Sequence, residues 1–484
     1  MTLALDHATE RRLDPWERLE LLCDEGSLRA IRSQVSSRRM GERARPGDGV
    51  VGAAGEIAGR PVCCYAQDPS FAGGSLGQAH ADTILRVLRL AGRSGVPVVG
   101  FVESGGARMQ EGMAALAGYG RIFRENVALS GKVPQISIIT GTAAGGASYS
   151  PALTDFVVMT ERANMFLTGP GVVREALGEE LTGDELGGRR VHERNGVCQF
   201  VVASDVESVF LARELLGYLP QQAGEEPPRR AAEAPGSADP AASVPRGTRH
   251  VYDVRDVVRA LADGGRLLEA APRWARNVVT AFCRLGGRPV GVIANQPRHL
   301  GGTLDAESAQ KAARFVRTCD TYGLPLVVLV DTPGFMPGSR QESAGVIRHG
   351  AKLLHAFAAA TVPRISVVLR KAFGGAYITM NAKDLGADLA LAWPDAELGI
   401  MAARQAVGIV NRRELAAAGD DAPALRDRLT DEYTEEHLAA SVAAAEGFVD
   451  EVVEPADTRG WLLWGLETVR GRGGDARSDG NIQL

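Results

Sequence analysis

The chain is 484 residues long, 45% hydrophobic and 23% charged, with a formal net charge of −5. That length supports two or three domains with real cores, and the composition is that of a globular protein in water. The acidic balance, with no basic run interleaved with aromatics, excludes a nucleic-acid binder, and no apolar run approaches the roughly 18 residues that a membrane span needs.

Residues 1–40 read as helical and charged, and the N-terminus lacks the apolar core of a signal peptide. Residues 49–68 alternate short apolar runs with turns, which predicts a hairpin or a meander. A helix is expected over 78–91, a strand over 96–102, a helix over 116–129 and a strand over 136–139. A strand at 156–159, a glycine-rich turn and strand within 184–203, and a helix over 206–219 complete the first half. Residues 221–247 are rich in Pro, Ala, Gly and charge without apolar period, and read as a linker between an N-terminal domain, 1–220, and a C-terminal domain, 248–484. The second half is expected to run strand 289–293, helix 307–322, strand 326–330, helix 346–360 and strand 365–369. A closing helix and strand are expected within 431–454, and the last dozen residues read as polar and frayed. Strands alternating with helices in this rhythm predict an α/β fold.

The two halves repeat one another. Gly59-Arg60-Pro61-Val62 recurs 228 residues later as Gly287-Arg288-Pro289-Val290. Gly73-Gly74-Ser75-Leu76 recurs at the same offset as Gly301-Gly302-Thr303-Leu304, and Glu103 falls opposite Asp331. Gly145-Gly146-Ala147, after an apolar strand, recurs 229 residues later as Gly374-Gly375-Ala376. Such a period is far too long for a solenoid and predicts two similar domains. A glycine pair where a strand turns into a helix leaves backbone N–H groups approachable, and such groups stabilise a negative oxygen without any catalytic side chain. The plainer reading of each turn is close packing, and the repetition favours the functional one.

Other motifs carry less. Asp331-Thr332-Pro333-Gly334 mimics a GTPase switch, yet none of the five lysines follows a phosphate-binding loop. Ser148 lies in an incomplete nucleophile elbow, with Ser150 where a glycine is needed, and His80, His192, His299 and His349 are scattered. No His/Cys/Asp/Glu cluster has metal-ligand spacing, so no protein-bound metal is expected. The six cysteines lack CxxC spacing and read as reduced, buried thiols of a cytoplasmic protein. After the strand at 96–102, Ser104-Gly105-Gly106-Ala107-Arg108 offers backbone to an extended ligand. Arg108 there either meets phosphate or fixes the turn by an ion pair.

Taken together, LLCDEGSL, GGSLG, ESGGARMQEG, ISIITGTAAGGASYSPALTDF, DTPGFMPGSRQESAGVIRHGAKLL and RKAFGGAYITM resemble the carboxyltransferase (β) subunits of biotin-dependent acyl-CoA carboxylases of the propionyl- and acetyl-CoA type. The resemblance implies two tandem crotonase-like (ClpP/crotonase) domains and a homo-hexamer built as a trimer of dimers. It implies transfer of CO2 from carboxybiotin to the α carbon of a short-chain acyl-CoA through an enolate. Gly145 and Gly146 would hold the enolate oxygen, and Gly375 and Ala376 the biotin oxygen. Ser104, Gly105, Gly106, Ala107 and Arg108 would lie along the acyl-CoA, with Ile378 on the acyl pocket, and Phe373, Gly374 and Tyr377 on the biotin side. No lysine sits in a biotin-carrier motif, so biotin and its carboxylase would come on a separate α subunit, with room for a small accessory subunit. Two other readings share the resemblance: a biotin-dependent acyl-CoA decarboxylase and a non-catalytic assembly subunit. The second is motivated by Ala402 and Gln405, which stand where the family usually has glycines, and Gln405 would be strained if its place requires positive φ.

Overall fold

Two eight-stranded sheets, one in each half of the chain, organise the protein in the computed structural model, which describes residues 12–237, 239–245, 247, 250–469 and 471. The chain forms two compact units. Of the described residues, the first takes those through Pro228 and Thr321–Gly323, and the second takes Arg229–Asp320 and those that follow from Leu324 to residue 471.

In the first unit the sheet order is β1-β2-β3-β4-β5-β6-β8, with β7 paired to β5. The strands are β1 (Arg29–Ile31), β2 (Val50–Ile57), β3 (Arg60–Gln67), β4 (Val98–Ser104), β5 (Gln135–Ala144), β6 (Phe156–Thr160), β7 (Asn164–Phe166) and β8 (Phe200–Val202). The hairpin expected over 49–68 is β2 and β3, antiparallel, and every pairing from β3 to β8 is parallel. All seven residues of β4 are buried, as a parallel strand covered on both faces requires. Helices α1 (Pro15–Leu22), α2 (Gln78–Ser94), α3 (Met113–Leu129), α4 (Gly146–Ala152) and α5 (Asp205–Tyr218) connect or cover them. Asp14 caps α1 and exchanges hydrogen bonds with Glu17, and Pro15 opens the helix.

The second unit repeats the plan in the order β16-β14-β13-β12-β11-β10-β9, with β15 paired to β13. Its strands are β9 (Leu267–Ala270), β10 (Val278–Leu285), β11 (Arg288–Asn295), β12 (Leu326–Thr332), β13 (Arg364–Phe373), β14 (Leu389–Ala392), β15 (Glu397–Gly399) and β16 (Glu451–Val452). Its helices include α6 (Val254–Leu261), α7 (Ala306–Thr321), α8 (Val346–Ala359), α9 (Gly374–Thr379), α10 (Ala403–Val410) and α11 (Thr458–Thr468). Each unit has its own core, around Leu85, Val102 and Ile139 in the first and Val292, Leu329 and Leu391 in the second.

Several expectations are corrected. Residues 12–40 contain one α-helix, α1, and then a strand and a 3-10 turn, because Cys23, extended at φ −90, ends the helix after Leu22. Strands β5 and β13 run on through residues 144 and 373, well past the apolar stretches that marked them. Gly141, Ala143, Ala144, Arg370, Lys371 and Ala372 break the apolar run in these extensions, which are held by pairing to β7 and β15. Part of the stretch read as a linker is packed. Arg230 N–H donates to Gly287 O at 3.0 Å, and Ala241 and Val244 lie on the second core. The last dozen residues lie outside the described ones. Among the described residues, no helix is long and apolar enough to cross a membrane.

Candidate active site

Parallel strands bring their carboxyl ends to one edge of a sheet, and in each unit two adjacent strands end in glycine turns there. In the first unit β4 leads into Gly105-Gly106 and β5 into Gly145-Gly146. Ser104 pairs with Ala143, and a Cβ on Gly106 would come within 3.2 Å of the Ala144 carbonyl oxygen. The GGSL segment closes the edge: Leu76 N–H donates to Gly106 O and Arg108 N–H to Leu76 O. Gly74 must be glycine, since a Cβ there would stand 2.1 Å from the Glu103 carbonyl oxygen. The second unit copies this approach, with a Cβ on Gly302 falling 2.4 Å from the Asp331 carbonyl oxygen.

The turns before the short helices share one backbone conformation. Gly145 has φ 58 and Gly374 φ 60, a region that L side chains rarely enter. Gly145 N–H is bound to Phe166 O at 3.0 Å, so the amides on offer are those that follow it, at Gly146 and Ala147. The first turn of a helix leaves its N–H groups without intrahelical partners. In the second unit these are the amides of Gly374, Gly375 and Ala376, at the start of α9. Gly375 is exposed, and a Cβ there would meet nothing within 4 Å. Phe373 and Ala376 are buried beneath it, Tyr377 is half-buried, and Ile378 is 49% exposed. Burial pushes the Tyr377 phenol up to about 12, so it stays protonated at neutral pH.

Beneath each edge lies a buried charge. Glu103 is bonded by Arg18 at 3.3 Å and by Thr140, and pairs with Arg12. Arg18 also reaches Asp205, which holds Arg162 at 2.6 Å. The equivalent Asp331 is held by Arg370 at 2.8 Å and Lys371 at 3.5 Å.

Arg108 proves to be a brace. It is 1% exposed, paired to Asp48 at 2.6 Å and Glu111 at 2.9 Å, and it donates to the carbonyl of Ser75. The reading of Arg108 as a phosphate contact therefore gives way to the ion-pair reading. Ser148 is no nucleophile, since its hydroxyl donates to Gly145 O at 2.7 Å. His80 is fully buried, and burial, with Arg108 nearby, pushes it down to about 3, so it is a neutral core residue. Gln405 carries no strain, because it is an exposed residue within α10, and Ala402 before it has an ordinary φ of −57. Among the described residues, no group of three His, Cys, Asp or Glu is placed to hold a metal. A cavity of about 650 Å³ in the first unit is lined by Arg12, Trp16, Arg18 and Ser70 but by none of the glycine turns.

One residue was not singled out in the sequence. Tyr119 on α3 lies under Gly146, where an added Cβ would be 2.6 Å from its ring, and its hydroxyl is 3.4 Å from Ser104 Oγ. An aromatic residue at ordinary helical spacing gives no signal of such a place.

The carboxyl transferase domain family matches residues 6–469 of this chain. The chain belongs to the carboxyl transferase family. It is 44% identical, over 93% of its length and 86% of the relative's, to the biotin-dependent acetyl-/propionyl-coenzyme A carboxylase beta5 subunit of Mycobacterium tuberculosis. It is 46% identical, over 93% of its length and 87% of the relative's, to the methylmalonyl-CoA carboxyltransferase 12S subunit of Propionibacterium freudenreichii. The crystal structure of the transcarboxylase 12S hexamer with methylmalonyl-coenzyme A and methylmalonic acid bound superposes with a TM-score of 0.93 at 44% identity, covering 98% of this chain and 92% of that one. The two repeated units are thus crotonase-like domains, and the chain is a carboxyltransferase of the acyl-CoA carboxylase type.

Proposed function

We propose that the two glycine turns are two oxyanion sites serving one carboxyl transfer. Gly146 and the Ala147 amide after it face the enolate oxygen of a short-chain acyl-CoA, while Gly145, its own N–H bound to Phe166 O, shapes the turn, and Ser104, Gly105, Gly106 and Ala107 lie along the thioester. Gly375 and Ala376 face the ureido oxygen of biotin carried on another chain, with Phe373, Gly374 and Tyr377 beside it. What carries the reading is the repetition of one positive φ, 58 at Gly145, which caps α4, and 60 at Gly374, the first residue of α9, each at the start of a helix whose first amides lack intrahelical partners. The open space above Gly375 suits a ring approaching backbone.

Biotin, when presented, supplies both the carboxyl group and the base. The chain's own task is electrostatic: backbone amides fixed by the sheet meet the oxygens on which charge develops. A preorganised donor of this kind is worth about 2.7–4 kcal/mol of transition-state stabilisation. The half-exposed, apolar Ile378 borders the acyl group and suits broad acceptance, from acetyl to longer chains. The chain works in the cytoplasm as a hexamer, a trimer of dimers, with an α subunit bearing biotin and its carboxylase and with room for a small accessory subunit, and it calls on no metal.

The test is the reverse reaction with purified protein, free biotin and malonyl-CoA or methylmalonyl-CoA, followed as loss of the carboxyl group. Biotin-dependent decarboxylation is the expected result. A folded protein that decarboxylates neither thioester, or does so without biotin, overturns the proposal.

A further inference from the structure

We infer that Tyr119 is a positioning residue that sets the distance between the two glycine turns of the first unit; this rests on the reading of those turns as the enolate site. Tyr119 is 5% exposed, and its ring lies directly under Gly146, closely enough that a Cβ there would stand 2.6, 2.7 and 2.8 Å from three ring atoms. The same side chain reaches the other turn. Its hydroxyl is 3.4 Å from Ser104 Oγ, and Ser104 Oγ accepts the N–H of Gly106 at 3.2 Å. One rigid ring thus bears on both turns, on Gly146 by contact and on Gly106 through a serine hydroxyl.

The ring is itself fixed. Phe123, one helical turn along α3, stands 5.9 Å from it centroid to centroid, and Phe123 packs in turn against Tyr149 on α4 at 6.0 Å. Three aromatic rings therefore tie α3 to α4, the helix that Gly146 opens. Burial pushes the Tyr119 phenol up to about 12, so the hydroxyl is neutral at working pH and contributes no charge of its own. Its effect is geometric. An oxyanion donor must meet the oxygen at about 2.7–3.1 Å, so an error of a few tenths of an ångström in the spacing of the turns weakens stabilisation of the enolate while leaving thioester binding in place. In the second unit no described residue gives such a support, because none lies within 4 Å of a Cβ built on Gly375.

The test compares affinity for a CoA nitronate, a stable mimic of the enolate, with affinity for acetyl-CoA, by calorimetry on the whole protein. Wild type is expected to prefer the nitronate. Tyr119→Leu removes the ring and is expected to lose at least tenfold of that preference, with acetyl-CoA affinity within twofold of wild type. Tyr119→Phe keeps the ring and is expected to lose about threefold, and it decides the matter if the leucine variant does not fold. A merely structural role would lower thermal stability and leave the ratio of the two affinities alone. An unchanged ratio in the folded variants overturns the inference. A wild type without nitronate preference would instead overturn the underlying reading of the turns.

Discussion

The two units share a sheet, a strand order and two glycine turns, yet they support those turns by different means. In the first, the turn at Gly146 rests on the Tyr119 ring; in the second, a Cβ on Gly375 would meet no described residue within 4 Å. The acid under the first edge, Glu103, is met by Arg18 from α1, 85 residues away in sequence. The acid under the second, Asp331, is met by Arg370 and Lys371 of the neighbouring strand β13. Where β13 carries Arg370, the repeat places Gly141, and a Cβ at Gly141 would stand 2.1 Å from Glu103 Oε1. A duplicated fold has thus kept its backbone and exchanged its props: the first unit recruits a helix and an aromatic ring, whereas the second carries its cations within the sheet.

The contrast breaks most sharply at the glycines. Gly146→Ala forces the turn away from Tyr119 and is expected to lower biotin-dependent turnover about 10²–10³-fold, the cost of a displaced oxyanion donor, as measured by steady-state decarboxylation. A melting temperature below that of Gly375→Ala would confirm that the first turn is the packed one. Next come the buried charges. Arg370→Met leaves Asp331, fully buried, with Lys371 alone, and is expected to cost about 3–5 kcal/mol in denaturant unfolding. Arg18→Met should cost less, since Glu103 keeps Arg12 and Thr140, and Asp205 keeps Arg162.

A smaller effect separates α2 from α7. At equivalent places in the repeat, Thr83 donates to Ala79 O, whereas Lys311 is buried and donates to the carbonyls of Trp274 and Val278 at 3.0 and 2.7 Å. Burial pushes Lys311 down to about 7 from an ordinary 10.5. Between those values the unfolded chain binds the extra proton, so stability rises with pH there. The melting temperature of wild type relative to Lys311→Met is therefore expected to climb from pH 7 toward 10, and a flat difference would show that the amine keeps its ordinary pKa. The smallest effect is at Gln405, an exposed helical residue. Gln405→Gly should cost about 0.5–1 kcal/mol of stability and leave turnover unchanged.

The duplication was legible in the sequence because turns with fixed backbone needs recur at fixed spacing, as Gly74 and Gly302 do against the carbonyls of Glu103 and Asp331. The glycine turns themselves were legible for the same reason. The supports were not. Arg18 meets Asp205 across 187 residues, and Arg108 and its partner Asp48 are 60 apart, so nothing local distinguishes them from solvated charges. The extensions of β5 and β13 were missed because glycine, alanine and charge interrupt the apolar run there, and pairing to β7 and β15 carries the strands on. The strain anticipated at Gln405 is absent because a helix, with ordinary φ, occupies that place.

The central claim is that two turns of one conformation serve two different oxyanions. Decarboxylation of methylmalonyl-CoA by wild type and by Gly375→Ala, each with and without free biotin, tests it most directly. The account predicts that wild type requires biotin and that the variant folds normally and binds the thioester as wild type does, yet loses at least tenfold in biotin-dependent turnover. A Gly375→Ala protein as active as wild type, or a wild type indifferent to biotin, would contradict it.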